Sequence, residues 1–595
     1  MLRSHNGWIE LTLEGQVEAL VVPSRLHPII RRILRRREAP HVALSHICRV
    51  MDAFVDDPEA KGVLVHLGPL VSGWAHADGL RLQLERARTA GKVVLVHAES
   101  HVTNREALVA SGGSKLIMTP PGLFTAIGAS TSGLFYRSSL DRLGIEVEVA
   151  SAGQYKSAPE RFTRNARSDA DLEQTKRLID QFDERLTVAW SAFRGVEINE
   201  AVAHFDRAPL IAKTALELGL IDGIARDEEI LKTVDAFRGG RDTASHETTR
   251  RKREKPKEKK NETEAPLAAD RYLEARTLRP LRPSRRKRIG VVEVHGAIVD
   301  NAPFLSSPGA KTAISKHVVD DLRAAGEDDT IAAVILHVNS RGGSVTASDQ
   351  IYGAVHRLNQ TKPVIACFDE VAASGGYYVA CGARKIFATP LTITGSIGVF
   401  ALTPIFEGLI DHLGLSHDLI KNRRNAGIYD VFTKRSEDER QHARAQVLAL
   451  YSIFLDLVAN ARALDIQTAD TWASGRVWTG QDALGRQLVD GLGGFEEAFA
   501  YAKEVADGRR FEPEPEIIHT SRPNMARPPL AEEVNSGPLV GQGFVEQAFE
   551  LFLLKASGWH GPASRSRRAV VSEALSLLST TSPTPGWFWT PFDVQ

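Results

Sequence analysis

Three cysteines in 595 residues (Cys48, Cys367 and Cys381) are too few for a disulfide framework, and none stands in a C-x-x-C or Cys/His spacing that would hold zinc. Their neighbours are mostly apolar or small, so each reads as a small buried hydrophobe. No uninterrupted apolar run approaches the roughly 18 residues that cross a bilayer. The N-terminal stretch Val17 to Pro23 is short, is broken by Glu18 and is followed by no small-residue cleavage pattern, so no signal peptide or anchor is visible. An excess of one charge sign is missing too: Lys+Arg and Asp+Glu number 74 each, which argues against nucleic-acid binding by the chain as a whole. What the chain has is length, enough for two or three domains.

Internal repetition organises that length. Residues 92–149 lie over 362–419 without a gap. Lys92 meets Lys362, Val109-Ala110 meets Val379-Ala380, and Lys115 meets Lys385. Thr119-Pro120 falls on Thr389-Pro390, Ile127-Gly128 on Ile397-Gly398, and Leu143-Gly144 on Leu413-Gly414. The flanks repeat with small shifts: GVLVHLG (62–68) resembles AVILHVN (333–339), and GLIDG (219–223) resembles QLVDG (487–491). Each half alternates short β-branched runs with helix-patterned stretches, such as Val334 to Val338 followed by Ala347 to Asn359. This is the rhythm of an α/β fold. The predicted organisation is an N-terminal domain over 1–237, a basic flexible linker over 238–288, a related domain over 289–505 and a C-terminal extension over 506–595.

The linker holds more than twice as many Lys/Arg as Asp/Glu and too few apolar groups to offset the entropy of ordering it. The zero net charge therefore conceals an acidic remainder joined by a basic strap. Arg31 to Arg37 (RRILRRR) reads as a solvated helix face, with contact to an anionic membrane surface as the other reading. The extension holds an amphipathic run, Phe544 to Leu554, and ends in the aromatic GWFWTPF, which could dock on the body or on a membrane.

Chemistry concentrates at three places. After the strand Val334 to Val338 comes Asn339-Ser340-Arg341-Gly342-Gly343-Ser344 and then a helix. Adjacent glycines there let backbone N–H groups converge on a developing oxyanion. In Thr394-Gly395-Ser396-Ile397-Gly398, a serine flanked by glycines can expose its hydroxyl as a nucleophile. A serine needs a base. His337, His412 and His417 share this half but form no Ser-His-Asp pattern, and His337 reads as an inner strand residue. Lysine serves when burial lowers its pKa. Lys156, in Gly153-Gln154-Tyr155-Lys156-Ser157-Ala158-Pro159 after the strand Glu146 to Ala150, is the best candidate. At the repeat offset of 270, Ser396 falls on Ala126 and Lys156 on Ala426, so each half keeps one member of a dyad and has alanine for the other.

RGGSVTASDQIY (341–352), EVAASGGYYVACGARKIFATPLTITGSIGVF (370–400), AGQYKSAPERFTR (152–164) and GRVWTGQDAL (475–484) resemble signal peptide peptidases of the SppA type in their long, two-domain form. The resemblance covers roughly 90–235 and 288–503. It implies tandem ClpP/crotonase-like α/β domains and a serine endopeptidase that hydrolyses apolar, extended peptides such as cleaved signal peptides. By motif it assigns Ser396 as nucleophile, Lys156 as general base, and Gly343 with Gly342 as the oxyanion hole. No metal or cofactor is implied. A homo-oligomer associated with the cytoplasmic membrane is implied, although no anchor is visible, and a cytoplasmic enzyme is the alternative. The first half departs from the pattern, with Ser72-Gly73-Trp74 where an Arg-Gly-Gly turn would stand. Two rival readings share the fold: a crotonase-type acyl-CoA enzyme, which needs neither Ser396 nor Lys156, and a non-catalytic scaffold.

Overall fold

In a computed structural model of the chain, the structure describes residues 7–20, 41–238, 266–276, 286–301, 311–506, 511–512, 515–518 and 587–588. Arg31 to Arg37, Phe544 to Leu554 and most of the linker and the extension lie outside the described residues. The chain divides into two compact units: unit 1 is Met1–Ala129 with Ile179–Ser284, and unit 2 is Ser130–Leu178 with Arg285–Gln595.

Unit 1 is built on a seven-stranded parallel sheet. Its main path runs Leu267–Ala268, Trp8–Glu18, Gly62–Val71, Val93–Ala98, Lys115–Met118, Gly223–Ile224, and His41–Ala43 pairs with the end of Trp8–Glu18. Unit 2 repeats the plan with eight strands. Its path is Val477–Thr479, Ile393–Gly395, Val364–Ala373, Ile331–Ser340, Arg288–His295, Glu516–Ile517, with Lys385–Ala388 and then Gly491–Leu492 branching from Val364–Ala373. Only Val477–Thr479 runs antiparallel to its neighbour. The central strand Ile331–Ser340 is buried at every position except Asn339. A parallel strand covered on both faces reads as a continuous apolar run instead of an alternating one, and AAVILHV is such a run. The two helices of 26 residues, Asp169–Arg194 and Glu437–Arg462, stand at nearly the same offset, so the duplication extends beyond the sheets.

Residues 130–178 pack with the second half. The cause is strand pairing. Glu146–Ala152 runs antiparallel to Val399–Ile405 over seven residue pairs, from Ala152 opposite Val399 to Glu146 opposite Ile405. The positions that the offset makes equivalent, 129–135 and 416–422, form no strand. Each half thus supplies one strand of a sheet that neither builds alone. Trp587–Phe588, from the terminal aromatic segment, adds to the other edge of Val399–Ile405.

All three cysteines are buried and none is in a disulfide, and burial pushes the Cys381 thiol up to about 12, so it is inert as a nucleophile at neutral pH. Among the described residues no single helix is long and apolar enough to cross a membrane.

Candidate active site

Because 130–178 belongs to unit 2, Lys156 and Ser396 lie in the same compact body. The strand Glu146–Ala152 ends at a turn that carries Lys156 inward. Gly475 faces that turn with φ 77°, and a Cβ there would sit 2.5 Å from the Lys156 nitrogen, so only glycine lets the two loops come this close. Gln174 ties the same turn down. Its Nε2 donates to Tyr155 O at 3.0 Å and to Ser157 Oγ at 2.9 Å, and its Oε1 accepts from Val477 N at 3.2 Å. Outside this layer the Arg476 guanidinium lies over the Tyr155 ring and pairs with Glu173.

Lys156 Nζ ends among three oxygens. It lies 2.7 Å from Ser396 O, 3.0 Å from Ser396 Oγ and 3.0 Å from Ser374 Oγ. Among the described residues no carboxylate opposes its charge, and burial pushes the ammonium down to about 7. A neutral amine has two N–H groups and one lone pair. Since a carbonyl only accepts, one N–H goes to Ser396 O, the second to one hydroxyl, and the lone pair is left to receive a proton from the other. Three contacts are therefore what the basic form can satisfy.

Ser374 is the residue that sequence reasoning missed. It ends the strand Val364–Ala373 and precedes the short helix Gly375–Ala380, with φ 54° and ψ −118°, a conformation a non-glycine residue rarely holds unless its surroundings impose it. Its N–H donates to Gly395 O at 2.8 Å, and the Tyr378 N–H donates to its carbonyl at 2.9 Å. The available signal was a serine among small residues, Ala372-Ala373-Ser374-Gly375-Gly376, inside a segment already quoted for the resemblance. Ser396 directly follows the strand Ile393–Gly395, with its N–H on Arg476 O at 2.6 Å. The two serines differ in access. Ser374 is 6% exposed and lines a pocket with Gly343, Val345, Gly375, Tyr378 and Phe454, whereas Ser396 is 0% exposed.

The chain matches the model of Peptidase family S49 twice, over residues 86–238 and 356–508, and that of Clp protease over 291–394. Among curated relatives it is 27% identical to the chloroplastic serine protease SPPA of Arabidopsis thaliana over 81% of this chain and 68% of the relative. It is 30% identical to Protease 4 of Salmonella typhi over 71% of this chain and 65% of the relative, and 28% identical to Protease 4 of Haemophilus influenzae over 76% and 72%. The chain belongs to peptidase family S49. Its fold is that family's α/β unit used twice, and its reaction is peptide hydrolysis. The acyl-CoA reading lapses with that assignment.

In this S49 chain the Gly342-Gly343 turn stands beside Ser374. Gly342 has φ 97°, and a Cβ on it would lie 2.5 Å from the Gly375 nitrogen and 3.0 Å from the Ser374 Cβ. Ile298 N donates to Gly342 O at 3.0 Å and Ser344 N donates to Ile298 O at 2.9 Å. These two bonds bracket Gly343, which lines the pocket. Ser344 caps the helix Val345–Asn359, with its hydroxyl accepting from Ala347 N, and so holds the turn's exit. His337, read as an inner strand residue, is 1% exposed on Ile331–Ser340. The first half lacks the machinery: at the 270 offset Asn104 stands for Ser374, and its Oδ1 instead accepts from Ile127 N and Gly128 N.

Proposed function

We propose that the chain is a serine endopeptidase of apolar, extended peptides such as cleaved signal peptides, with Lys156 as general base and Ser374, in place of Ser396, as nucleophile. The observation that carries this reading is a buried lysine with no carboxylate partner among the described residues, 3.0 Å from the hydroxyl of a serine that lines a pocket. Neutral Lys156 takes the Ser374 proton as Oγ attacks the peptide carbonyl. The N–H groups of Gly343 and Gly375 receive the oxyanion, and Gly342 shapes the turn that brings them together. The lysine ammonium then protonates the leaving amine, and the amine activates the water that releases the acyl group. Ser396 holds Nζ in place through its carbonyl and hydroxyl. This assignment keeps the complementary pattern of the repeat, with Lys156 opposite Ala426 and Ser374 opposite Asn104. Such peptides arise at the cytoplasmic membrane, and action there as a homo-oligomer is part of the same reading. The direct test is hydrolysis of a signal-sequence-like peptide by the wild-type chain and by Lys156→Ala. Full activity in the variant would overturn the mechanism.

The pocket predicts a preference for the residue before the cut. Val345, Tyr378, Val399 and Phe454 line it, with the Tyr378 and Phe454 rings 4.8 Å apart and no charged side chain among the lining residues. It therefore accepts an uncharged, compact side chain. Phe454→Ala removes the ring that limits its depth. The ratio of kcat/KM for an aromatic over an alanine residue at that position is expected to rise about tenfold, the discrimination typical of one or two methylene groups. A ratio is independent of how much enzyme is folded, which matters because truncating a buried Phe costs about 3–5 kcal/mol.

Gln174 acts through Lys156. In Gln174→Leu the Val477 N–H and the Tyr155 carbonyl lose their partner, and the lysine turn loosens. The expected result is a fall of about tenfold or more in kcat with KM little changed, since misplacing a reacting group costs rate more than binding. Gln174→Glu is expected to lose rate as well, because its carboxylate cannot donate to the Tyr155 carbonyl and its charge favours the protonated, inactive Lys156, but this loss should shrink as pH rises whereas that of Gln174→Leu should not.

A further inference from the structure

Unit 2 carries a cluster of titratable side chains for which peptide hydrolysis has no task. His295 ends the strand Arg288–His295, with Glu293 two residues before it, and Glu293 lies opposite His337 in the neighbouring strand. His295 Nε2 and His337 Nδ1 are 3.0 Å apart. The other nitrogen of each ring faces a carboxylate: His295 Nδ1 is 3.7 Å from Glu293 Oε1, and His337 Nε2 is 3.5 Å from Asp369 Oδ2. His337 is 1% exposed, and its Nε2 makes no hydrogen bond among the described residues. Glu293, His295 and His337 each offer one ligand atom, all within 4.8 Å of one another.

We propose that Glu293, His295 and His337 bind one divalent transition ion of the zinc class, with Asp369 supporting His337 from behind. The spacing is the first argument. Two imidazole nitrogens on one ion, each at about 2.0–2.1 Å, stand roughly 3.0–3.4 Å apart as the angle between them opens from square to tetrahedral. A ring pair at 3.0 Å needs little movement to accept the ion. The second argument is the outer layer. A histidine that ligates a metal usually directs its remaining N–H at a carboxylate, which fixes the tautomer, and Asp369 stands in that relation to His337. Asn339 Nδ2 donates to Asp369 Oδ2 at 3.1 Å and keeps that carboxylate in place. Third, an ion on Nδ1 makes His337 Nε2 the protonated nitrogen and draws it to Asp369, giving a partner to a buried polar atom that otherwise has none. Two imidazoles and one carboxylate suit zinc, cobalt or nickel over calcium or magnesium, which prefer oxygen alone. Lys311 is the nearby cation that opposes binding, and the two carboxylates outnumber it.

Unit 1 carries a related cluster. At the equivalent place His66 faces His97 across the strand pair, but both His66 nitrogens already lie 2.9 Å from carboxylates, Nε2 from Glu10 and Nδ1 from Glu99. His66, His97 and Glu99 also offer one ligand atom each within 4.8 Å of one another, and the difference is that both of the nearest carboxylates fall on one ring there, whereas in unit 2 each ring faces one. The cluster in unit 2 also has mechanical reach. His337 precedes Ser340 by three residues, and Ser340 Oγ donates to Gly296 O at 2.6 Å and accepts from Gly342 N at 3.0 Å. An ion between the two strands braces the ends from which the Gly342-Gly343 turn departs.

The test is a Co²⁺ titration of the full chain after chelator treatment, read by visible d–d absorption and by thermal midpoint. One Co²⁺ per chain, displaced by Zn²⁺, with a raised midpoint is expected in the wild type and in His66→Gln. His337→Gln and His295→Gln are expected to lose the absorption and the midpoint shift. Glu293→Gln, at a partly exposed carboxylate that leaves the buried rings untouched, is expected to weaken binding at least tenfold even if the histidine variants fail to fold. No absorption in the wild type overturns the proposal, as does Glu293→Gln binding as tightly as wild type, or loss of the signal in His66→Gln alone.

Discussion

Ser374→Ala is expected to abolish peptide hydrolysis, lowering kcat/KM by about 10⁴-fold or more, whereas Ser396→Ala is expected to retain measurable turnover. The two hydroxyls are equidistant from Lys156 Nζ, so distance does not separate them. Access does. Ser374 lines the pocket with Gly343, while Ser396 is enclosed and its carbonyl takes one of the amine's two protons. Removing the Ser396 hydroxyl leaves that carbonyl bond in place, so the lysine keeps one anchor and the loss is expected to be about 10–10²-fold. Mass analysis of an enzyme trapped with a slowly deacylating substrate provides an independent readout, since the acyl group is expected on the peptide that contains Ser374. An acyl group on Ser396, or full loss in Ser396→Ala with activity left in Ser374→Ala, would return the nucleophile to the TGSIG segment.

Lys156→Met is expected to inactivate the enzyme by about 10²–10⁴-fold and at the same time to stabilise it. A lysine held at about 7 in the folded chain against 10.5 in the unfolded one must give up a proton on folding at neutral pH. That costs on the order of 4 kcal/mol, offset in part by the hydrogen bonds to Ser374 and Ser396. Methionine fills a similar volume at no such cost, so a net gain of about 1–3 kcal/mol is expected in denaturant unfolding at pH 7. The sign with pH follows. Between about 7 and 10.5 the unfolded chain binds more protons at this site than the folded one, so the wild type gains stability as pH rises through that window. The gap to Lys156→Met should therefore narrow from pH 7 toward pH 10. Activity should share the lower limit: kcat/KM is expected to rise with pH through about 7 as the amine loses its proton. A gap that widens with pH, or a rate that falls across neutrality, would show that the lysine is charged in the folded enzyme.

Much of the architecture was legible in the chain because repetition and hydrophobic runs are local signals. The 270-residue offset exposes a duplicated α/β unit, and the apolar run of the central strand marks it as buried on both faces. The turn at Gly342-Gly343 and the helix after it could also be read, since a strand, a glycine pair and an amphipathic stretch follow one another directly. Lys156 was found by its small neighbours and its preceding strand. Ser374 was missed because its backbone conformation, held by Gly395 and Tyr378, has no sequence signature beyond small residues, and the glycines around Ser396 drew attention instead. That residues 130–178 pack with the second half was not legible, because no local pattern records that Glu146–Ala152 pairs with Val399–Ile405.

The sequence by itself determined the family, the repeated α/β plan and the residue types available for acyl transfer, all of which depend on motifs contiguous along the chain. The tertiary structure decided which groups meet: residues 130–178 joined the second unit, Lys156 came within 3.0 Å of two serines separated by 22 residues, and only one of these opened on the pocket. It also brought together Glu293, His295, His337 and Asp369 from three strands. The physical reason is the same in each case. Pairing of distant strands and exclusion of water set both the distances and the pKa of the lysine, and neither is encoded in any short stretch of residues.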